Sequence, residues 1–290
     1  MKSSLIKLHF AVFLAGFTGV LGMLITLNEG LLVWFRIFIT VCTLAILLPL
    51  RKQLQKIPLT AVIKLFLIGF LIALHWVCFY GSIKYSNVSI GLICMAAVGV
   101  FTALLEPLLT AKKFSFIEVL LGLMCLLGIY LIFHFDNRYR TGIIIGVMAA
   151  VLSALFSVLN KKYVQIASSK TIMFYELAGG LTILTLLMPA YLHYFPPTHI
   201  LPTFKDAGWL LILSWLCTVW AMDLFIQSLQ HVSAFTQNLT LNLEPVYGII
   251  LAFLIYHENK YLHVSFYWGF GLIGLSVMLQ MIRIIKLRKH

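Results

Sequence analysis

Ten long apolar runs follow one another along the 290-residue chain, and short polar connections separate them. A helix needs about 20 apolar residues to cross the hydrocarbon core of a bilayer. The pattern therefore predicts an all-α integral membrane protein with ten transmembrane helices, at residues 5–26, 31–50, 62–82, 88–109, 115–135, 141–160, 172–192, 208–228, 235–256 and 264–284. The connections leave no room for a soluble domain.

Composition and charge agree with a membrane location. Hydrophobic residues make up 62% of the chain and charged residues 10%, whereas a soluble domain has about 25% charged residues. The net charge of +12 comes from short basic clusters rather than a stripe, which argues against nucleic acid. With a cytoplasmic N-terminus, 14 lysines and arginines fall inside and 5 outside. The positive-inside rule then predicts a multi-pass inner (plasma) membrane protein with both termini cytoplasmic.

The two halves of the chain align with each other. Glu176 follows its counterpart Arg36 by 140 residues, and later counterparts are 146 residues apart. We therefore expect two five-helix repeats, at residues 1–138 and 139–290. Because five is odd, the second repeat enters the membrane from the opposite side. Such inverted-topology repeats are typical of secondary transporters, which bind their substrates at the repeat interface.

The second repeat also resembles a known family. Residues 224–258 read LFIQSLQHVSAFTQNLTLNLEPVYGIILAFLIYHE, a short loop, a span with a proline in its middle, and a terminal glutamate before a polar residue. This pattern resembles the EamA family of the drug/metabolite transporter (DMT) superfamily. The first repeat departs from it with Gly99 in place of proline and Lys112 in place of glutamate, and its own Glu106-Pro107 pair lies later in the span.

The resemblance implies a central cavity shared by both halves and movement of small metabolites, usually outward. We expect a secondary transporter, an exporter of amino acids or related compounds by alternating access. An uptake permease of the same fold, an intramembrane enzyme and a non-transporting scaffold remain alternatives. No P-loop, H-E-x-x-H or acidic metal loop is present. We therefore expect no enzymatic activity, no cofactor and no metal, with a small-molecule substrate, the lipid bilayer and protons as partners.

The ninth predicted span carries the most polar residues. Gln237, Thr240, Glu244 and Tyr247 are spaced three, seven and ten residues from the first, so they share one helix face. Lipid does not accommodate a polar face, and we expect these residues to line a cavity. A carboxyl group at that depth, as in Glu244, suits proton coupling or recognition of an ammonium group. The alternative is a structural hydrogen bond to a neighbouring helix.

The same span contains a second polar face and a proline. Asn238 and Asn242 lie four residues apart and are candidates to bridge to another helix, with Asn242 also a candidate cavity residue. Pro245 frees the carbonyl of Leu241 from its helical hydrogen bond. The position therefore predicts a hinge or an exposed binding acceptor.

Other polar residues within spans complete the candidate site. Arg36 could hold a carboxylate or phosphate, pair with Glu176, or reach to the surface, and Glu176 has the same surface alternative. Two pairs share helix faces four residues apart and are also candidates to line the cavity: Asp223 with Gln227, and Trp76 with Tyr80. Asp223 would equally suit a wet vestibule, and the two aromatic residues would equally suit helix packing.

Overall fold

The computed structural model describes residues 2–111, 113–241 and 243–287. These residues form thirteen α-helices, and no β-strand occurs among them. The helices are α1 (Lys2–Leu24), α2 (Glu29–Leu50), α3 (Leu59–Lys84), α4 (Val88–Cys94), α5 (Val98–Leu109), α6 (Phe116–Phe135), α7 (Arg140–Tyr163), α8 (Ser169–Tyr194), α9 (Phe204–Ser214), α10 (Ala221–Leu229), α11 (Ala234–Leu241), α12 (Glu244–Tyr256) and α13 (Val264–Leu287). The described chain is all-helical, as its sequence predicts.

Eight helical segments are long and apolar enough to cross a membrane, judged by length and composition. They coincide with the first eight predicted spans to within a few residues at each end. The ninth and tenth predicted spans correspond to shorter apolar helices, Glu244–Tyr256 and Val264–Leu279. In the described residues, eight of the ten predicted spans are thus long and apolar enough to cross a membrane.

Two of these long segments change helix type in their interior. Residues 95–97 form a 3₁₀ turn between α4 and α5, and residues 215–220 form a π-helical segment between α9 and α10. Within the π segment, the Thr218 hydroxyl donates to the carbonyl of Leu213 at 2.9 Å, five residues earlier. Single π turns are common at functional sites, because they turn side chains away from the regular helix face.

The ninth predicted span is broken rather than continuous. Helix α11 ends at Leu241, and α12 begins at Glu244 with Pro245 in its first turn. Proline lacks an N–H and its ring clashes with the carbonyl four residues earlier, here that of Leu241. The described part of residues 235–256 therefore forms two helices, and the discontinuity lies beside Pro245, the residue at which the sequence predicts one.

Small residues bring α3 and α8 into backbone contact. A Cβ atom on Gly69 would lie 2.5 Å from the carbonyl carbon of Glu176, and one on Gly180 would lie 2.6 Å from the carbonyl oxygen of Gly69. Helices in membranes approach this closely where glycine replaces a larger side chain. The crossing leaves no space between the two backbones beside Glu176.

The outer faces of the bundle are apolar. The side chains of Leu50, Leu108 and Leu186 are 75%, 80% and 75% exposed. An apolar surface of this extent is unusual in a soluble monomer. It fits a chain surrounded by lipid.

A carboxylate in the second half of the chain binds the backbone of a helix in the first half. The Glu258 carboxylate, just beyond α12, accepts hydrogen bonds from the backbone N–H of Val88 at 2.9 Å and of Ser89 at 2.8 Å. These two N–H groups belong to the first turn of α4 and point along its axis. A carboxylate stabilises a helix N-terminus through the unpaired N–H groups and the helix dipole.

Candidate functional site

A cavity of about 140 Å³ lies between helices from both halves of the chain. Its walls come from α1, α2, α3, α5, α7, α10, α11 and the start of α12, together with the 3₁₀ turn and the π segment. The volume is roughly ten times what one ordered water needs. The cavity can therefore hold a small organic molecule or a cluster of waters.

Arg36 on α2 lines this cavity and is 2% exposed. Its guanidinium donates to the Thr218 hydroxyl at 2.7 Å, to the Tyr80 hydroxyl at 2.7 Å and to the Cys217 carbonyl at 3.2 Å. It also lies 3.9 Å from the centre of the Trp76 ring, a cation–π contact. Arginine has five N–H donors, so two remain for a ligand, and no described carboxylate forms an ion pair with it.

Glu244 lines the same cavity from the first residue of α12. Its side chain is 9% exposed, and no donor among the described residues forms a hydrogen bond to its carboxyl group. The break before Pro245 places this carboxyl at the point where α11 and α12 meet. The cavity therefore contains a cation and an acid that do not bond to each other.

Aromatic rings form one wall of the cavity. His75 on α3 packs between Phe79 and Phe156, with ring centroids 6.3 Å and 5.4 Å away. Its Nδ1 lies 2.9 Å from the carbonyl of Ala149, so this nitrogen carries the proton and donates. Together with Trp76, these rings offer flat apolar surface to the uncharged part of a ligand.

Amides and hydroxyls line the opposite part of the cavity. The side chain of Asn238 on α11 accepts from the Ser157 hydroxyl at 3.2 Å and donates to the Thr102 hydroxyl at 2.8 Å. Asn238 thus bridges to other helices, as its sequence position predicts. Nearby in the lining, Gln237 has a buried side-chain oxygen that no described donor reaches.

Asn160 on α7 separates the cavity from a second acid. Asn160 lines the cavity, whereas Glu176 on α8 does not, and Glu176 is fully buried. The Asn160 side chain lies within hydrogen-bonding range of the Glu176 carboxyl group, but the two are not aligned to form a bond of good geometry. Neither carboxyl oxygen has a hydrogen-bond partner among the described residues, and the side-chain oxygen of Asn160 has none either.

Of the residues singled out from the sequence, five line the cavity: Arg36, Trp76, Gln237, Asn238 and Glu244. Tyr80 is fully buried beside it and orients Arg36. The other candidates lie outside the lining, and Asn242 lies outside the described residues.

The candidates outside the lining have contacts of their own. Tyr247 packs against Phe13 on α1, with ring centroids 5.5 Å apart. Asp223 accepts a hydrogen bond from Ser169, and Gln227 accepts one from Lys7 at 2.7 Å. Thr240 is buried, at 7% exposure. The break in the ninth span explains part of this arrangement, because Gln237 and Tyr247 belong to different helices.

Sequence reasoning missed the polar face of α7. Ser153, Ser157 and Asn160 line the cavity and lie four and seven residues from the first, which places them within one narrow arc of the helix. That spacing is the signal that could have found them. Single serines inside apolar helices are common, however, because their hydroxyls bond to the helix backbone.

Comparisons with known proteins agree with this architecture. A solved crystal structure, titled only as that of a protein, is similar to the chain with a TM-score of 0.70 at 15% identity, and the match covers 99% of each chain. At this identity the likeness shows the fold alone. Comparison with curated proteins finds no match.

A family model described as the EamA-like transporter family matches residues 2–134 and 140–281. The two matches lie one after the other and leave only short segments of the chain uncovered. The chain is therefore a multi-pass membrane protein that belongs to the EamA-like transporter family.

Proposed function

We propose that this protein is a secondary transporter that exports amino acids or related compounds across the inner membrane by alternating access. The observation that carries the proposal is the pairing of Arg36 and Glu244 in one cavity without an ion pair between them. Arginine binds a carboxylate through parallel N–H bonds, and a glutamate carboxylate binds an ammonium group. A molecule with both groups and an apolar remainder satisfies both charges and the aromatic wall.

The architecture in this proposal is ten spans in two inverted-topology repeats, at residues 1–138 and 139–290, with both termini cytoplasmic. The two repeats rock about the cavity, and the break at Pro245 is the hinge on which α12 moves. The cavity with walls from both halves supports this arrangement. Protons are the proposed coupling ion, and the membrane gradient supplies the energy.

Transport by the purified protein tests the substrate class. Liposomes containing the protein are loaded in turn with each of the twenty amino acids, with decarboxylated amines and with deaminated acids, and exchange against the labelled compound is measured. We expect exchange of zwitterions with apolar or aromatic side chains, and weaker exchange of amines and acids. Exchange of none of these compounds above protein-free liposomes would refute the proposed substrate class.

Two substitutions assign the two charges. Arg36→Gln should weaken the binding of zwitterions and acids, and Glu244→Gln that of zwitterions and amines, each by about 10- to 100-fold because a charge-assisted hydrogen bond is lost. Glu118→Gln is the matched control, since Glu118 lies in the first turn of α6 and bonds to Arg283, outside the cavity lining. If all three variants transport alike, the cavity is not the binding site.

The direction of transport is tested in cells. Cells that make the protein should lose an internally generated amino acid to the medium faster than cells that make the Arg36→Gln variant. Faster accumulation from the medium instead would favour an uptake permease.

A further inference from the structure

Glu176 is a buried acid that the substrate cavity does not use. Its side chain is 0% exposed, and neither carboxyl oxygen receives a hydrogen bond from any described residue. An ionised carboxylate without donors is very unfavourable in an apolar interior, whereas a neutral carboxylic acid is tolerated. The surroundings of Glu176 are therefore those of a group that carries a proton in this conformation.

Asn160 has an unpaired acceptor beside the unpaired carboxyl group of Glu176. Its side-chain oxygen is buried without a donor, and the side chain lies beside the Glu176 carboxyl group on one side and lines the cavity on the other. A protonated carboxyl has one O–H donor and the amide oxygen is an acceptor. One proton on Glu176 therefore allows a hydrogen bond from the carboxyl O–H to the Asn160 oxygen.

The Glu176 side chain has no access to solvent, at 0% exposure. The Glu176 backbone lies against Gly69 so closely that a single carbon added to Gly69 would overlap it. Among the described residues, Asn160 is thus the polar connection between this acid and the cavity. A movement of Asn160 toward the cavity would admit water to Glu176, and its return would seal the acid again.

No charged group on the helices around Glu176 bonds to its carboxyl group. Helices α2, α3 and α10 pack against α8, and α7 supplies Asn160. None of the charged or titratable side chains on these four helices, or next to Glu176 on α8, forms a hydrogen bond or ion pair with Glu176. These side chains are Glu29, Arg36, Cys42, Lys64, His75, Cys78, Tyr80, Lys84, Arg140, Lys161, Lys162, Tyr163, Lys170, Tyr175 and Asp223. The negative charge of the Glu176 carboxylate is therefore neutralised by protonation rather than by a neighbouring cation.

We propose that Glu176 is a proton-binding site separate from the substrate site, that Asn160 gates it, and that the transporter exchanges one inward proton at Glu176 for each exported substrate. The proposal rests on the transport function proposed above. The carboxylate takes a proton from water on the outer side, carries it as the neutral acid while the cavity is closed to that side, and returns it to water on the inner side. Glu244 remains a substrate group.

The first experiment detects the proton on Glu176 in the absence of substrate. Infrared difference spectra of the full-length protein in lipid, recorded between acid and alkaline pH, contain the carbonyl stretch of each protonated carboxyl group. We expect one such band to be absent in Glu176→Gln and present in both Glu244→Gln and Glu118→Gln. Because glutamine has the shape of the neutral acid, Glu176→Gln should fold with an unchanged melting temperature. Persistence of every band in this variant would overturn the proposal.

A second variant keeps the acid and removes its partner. In Asn160→Leu the Glu176 band should remain but shift to the position of an acid without a hydrogen bond. This variant also keeps the test open if Glu176→Gln does not fold. An unshifted band would refute the role of Asn160.

Transport then tests coupling, with labelled leucine as the probe. In exchange between equal concentrations, Glu176→Gln should match the wild type, whereas accumulation driven by a pH gradient should fall to the level of protein-free liposomes. Loss of both activities, or accumulation driven by a sodium gradient at equal pH, would contradict the proposal. If wild-type protein does not exchange leucine, the proposed substrate class fails, while the infrared result still decides whether Glu176 binds a proton.

Discussion

The crossing of α3 and α8 at Gly69 makes a sharp prediction about stability. A Cβ atom at this position would lie 2.5 Å from the carbonyl carbon and 2.9 Å from the Cα of Glu176. Non-bonded carbon atoms prefer separations of about 3.5–4.0 Å. Gly69→Ala therefore requires the two helix backbones to separate by more than about 1 Å, and both are held by neighbours in the bundle.

Gly274→Ala is the matched control. Both glycines lie inside helices, but a Cβ atom on Gly274 meets nothing within 4 Å. Each substitution gains about 0.8–1.0 kcal/mol of helix propensity. The difference between the variants therefore isolates the packing strain, which is about 1–3 kcal/mol for an overpacked site.

Thermal unfolding of the full-length protein in detergent measures this difference. At about 2–4 °C per kcal/mol, Gly69→Ala should melt about 2–12 °C below Gly274→Ala. Equal melting temperatures, or a higher one for Gly69→Ala, would show that α3 and α8 do not cross in backbone contact. The sealed position of Glu176 would then lose its support as well.

Three further changes test contacts around the cavity and the loops. Glu258→Gln removes the charge that accepts two hydrogen bonds from the first turn of α4. A charged hydrogen bond contributes about 1.5–3 kcal/mol, so the melting temperature should fall by several degrees. An unchanged melting temperature would contradict the bond between Glu258 and α4. Tyr80→Phe removes the oxygen that orients Arg36, so the KM for leucine exchange should rise about tenfold. An unaltered KM would show that Tyr80 does not orient Arg36 for binding. The Arg138 hydrogen bond holds the pKa of Asp136 below its usual range, so this contact stabilises the folded state above the ordinary carboxyl pKa and is lost as pH falls through the lowered value. Asp136→Asn should therefore lower the melting temperature at neutral pH and have less effect in strong acid, whereas an effect that grows on acidification would refute this reasoning.

The ninth span shows what the sequence could and could not predict. Pro245 identified the position of the discontinuity, because the missing N–H and the ring clash are local properties of proline. Whether the helix bends or breaks depends on which neighbouring groups satisfy the freed backbone, and that is decided by tertiary packing. The polar stripe was consequently assigned to one face, although Gln237 and Tyr247 lie on separate helices.

Glu176 shows a second limit of the sequence. Its place one turn inside a predicted span suits an acid that reaches to the membrane surface, yet the structure buries it completely. The difference arises from Gly69, more than a hundred residues away, which lets α3 cover this part of α8. No local pattern near Glu176 shows which helix packs there or how closely. The family resemblance predicted an all-helical membrane protein of two repeats, whereas the partners of individual polar groups required coordinates.

The hydrogen bonds around Arg36 explain why a cation and an acid can share a small cavity without joining. In a low-dielectric interior, opposite charges attract strongly and would form an ion pair if both side chains were free to move. Tyr80, Thr218 and the Cys217 carbonyl fix the guanidinium, and Trp76 lies against its face. A preformed ion pair would have to break before any substrate could bind. By holding Arg36 in place, its neutral partners leave both charges available to a ligand, so that the arrangement is suited to binding rather than to structural neutralisation.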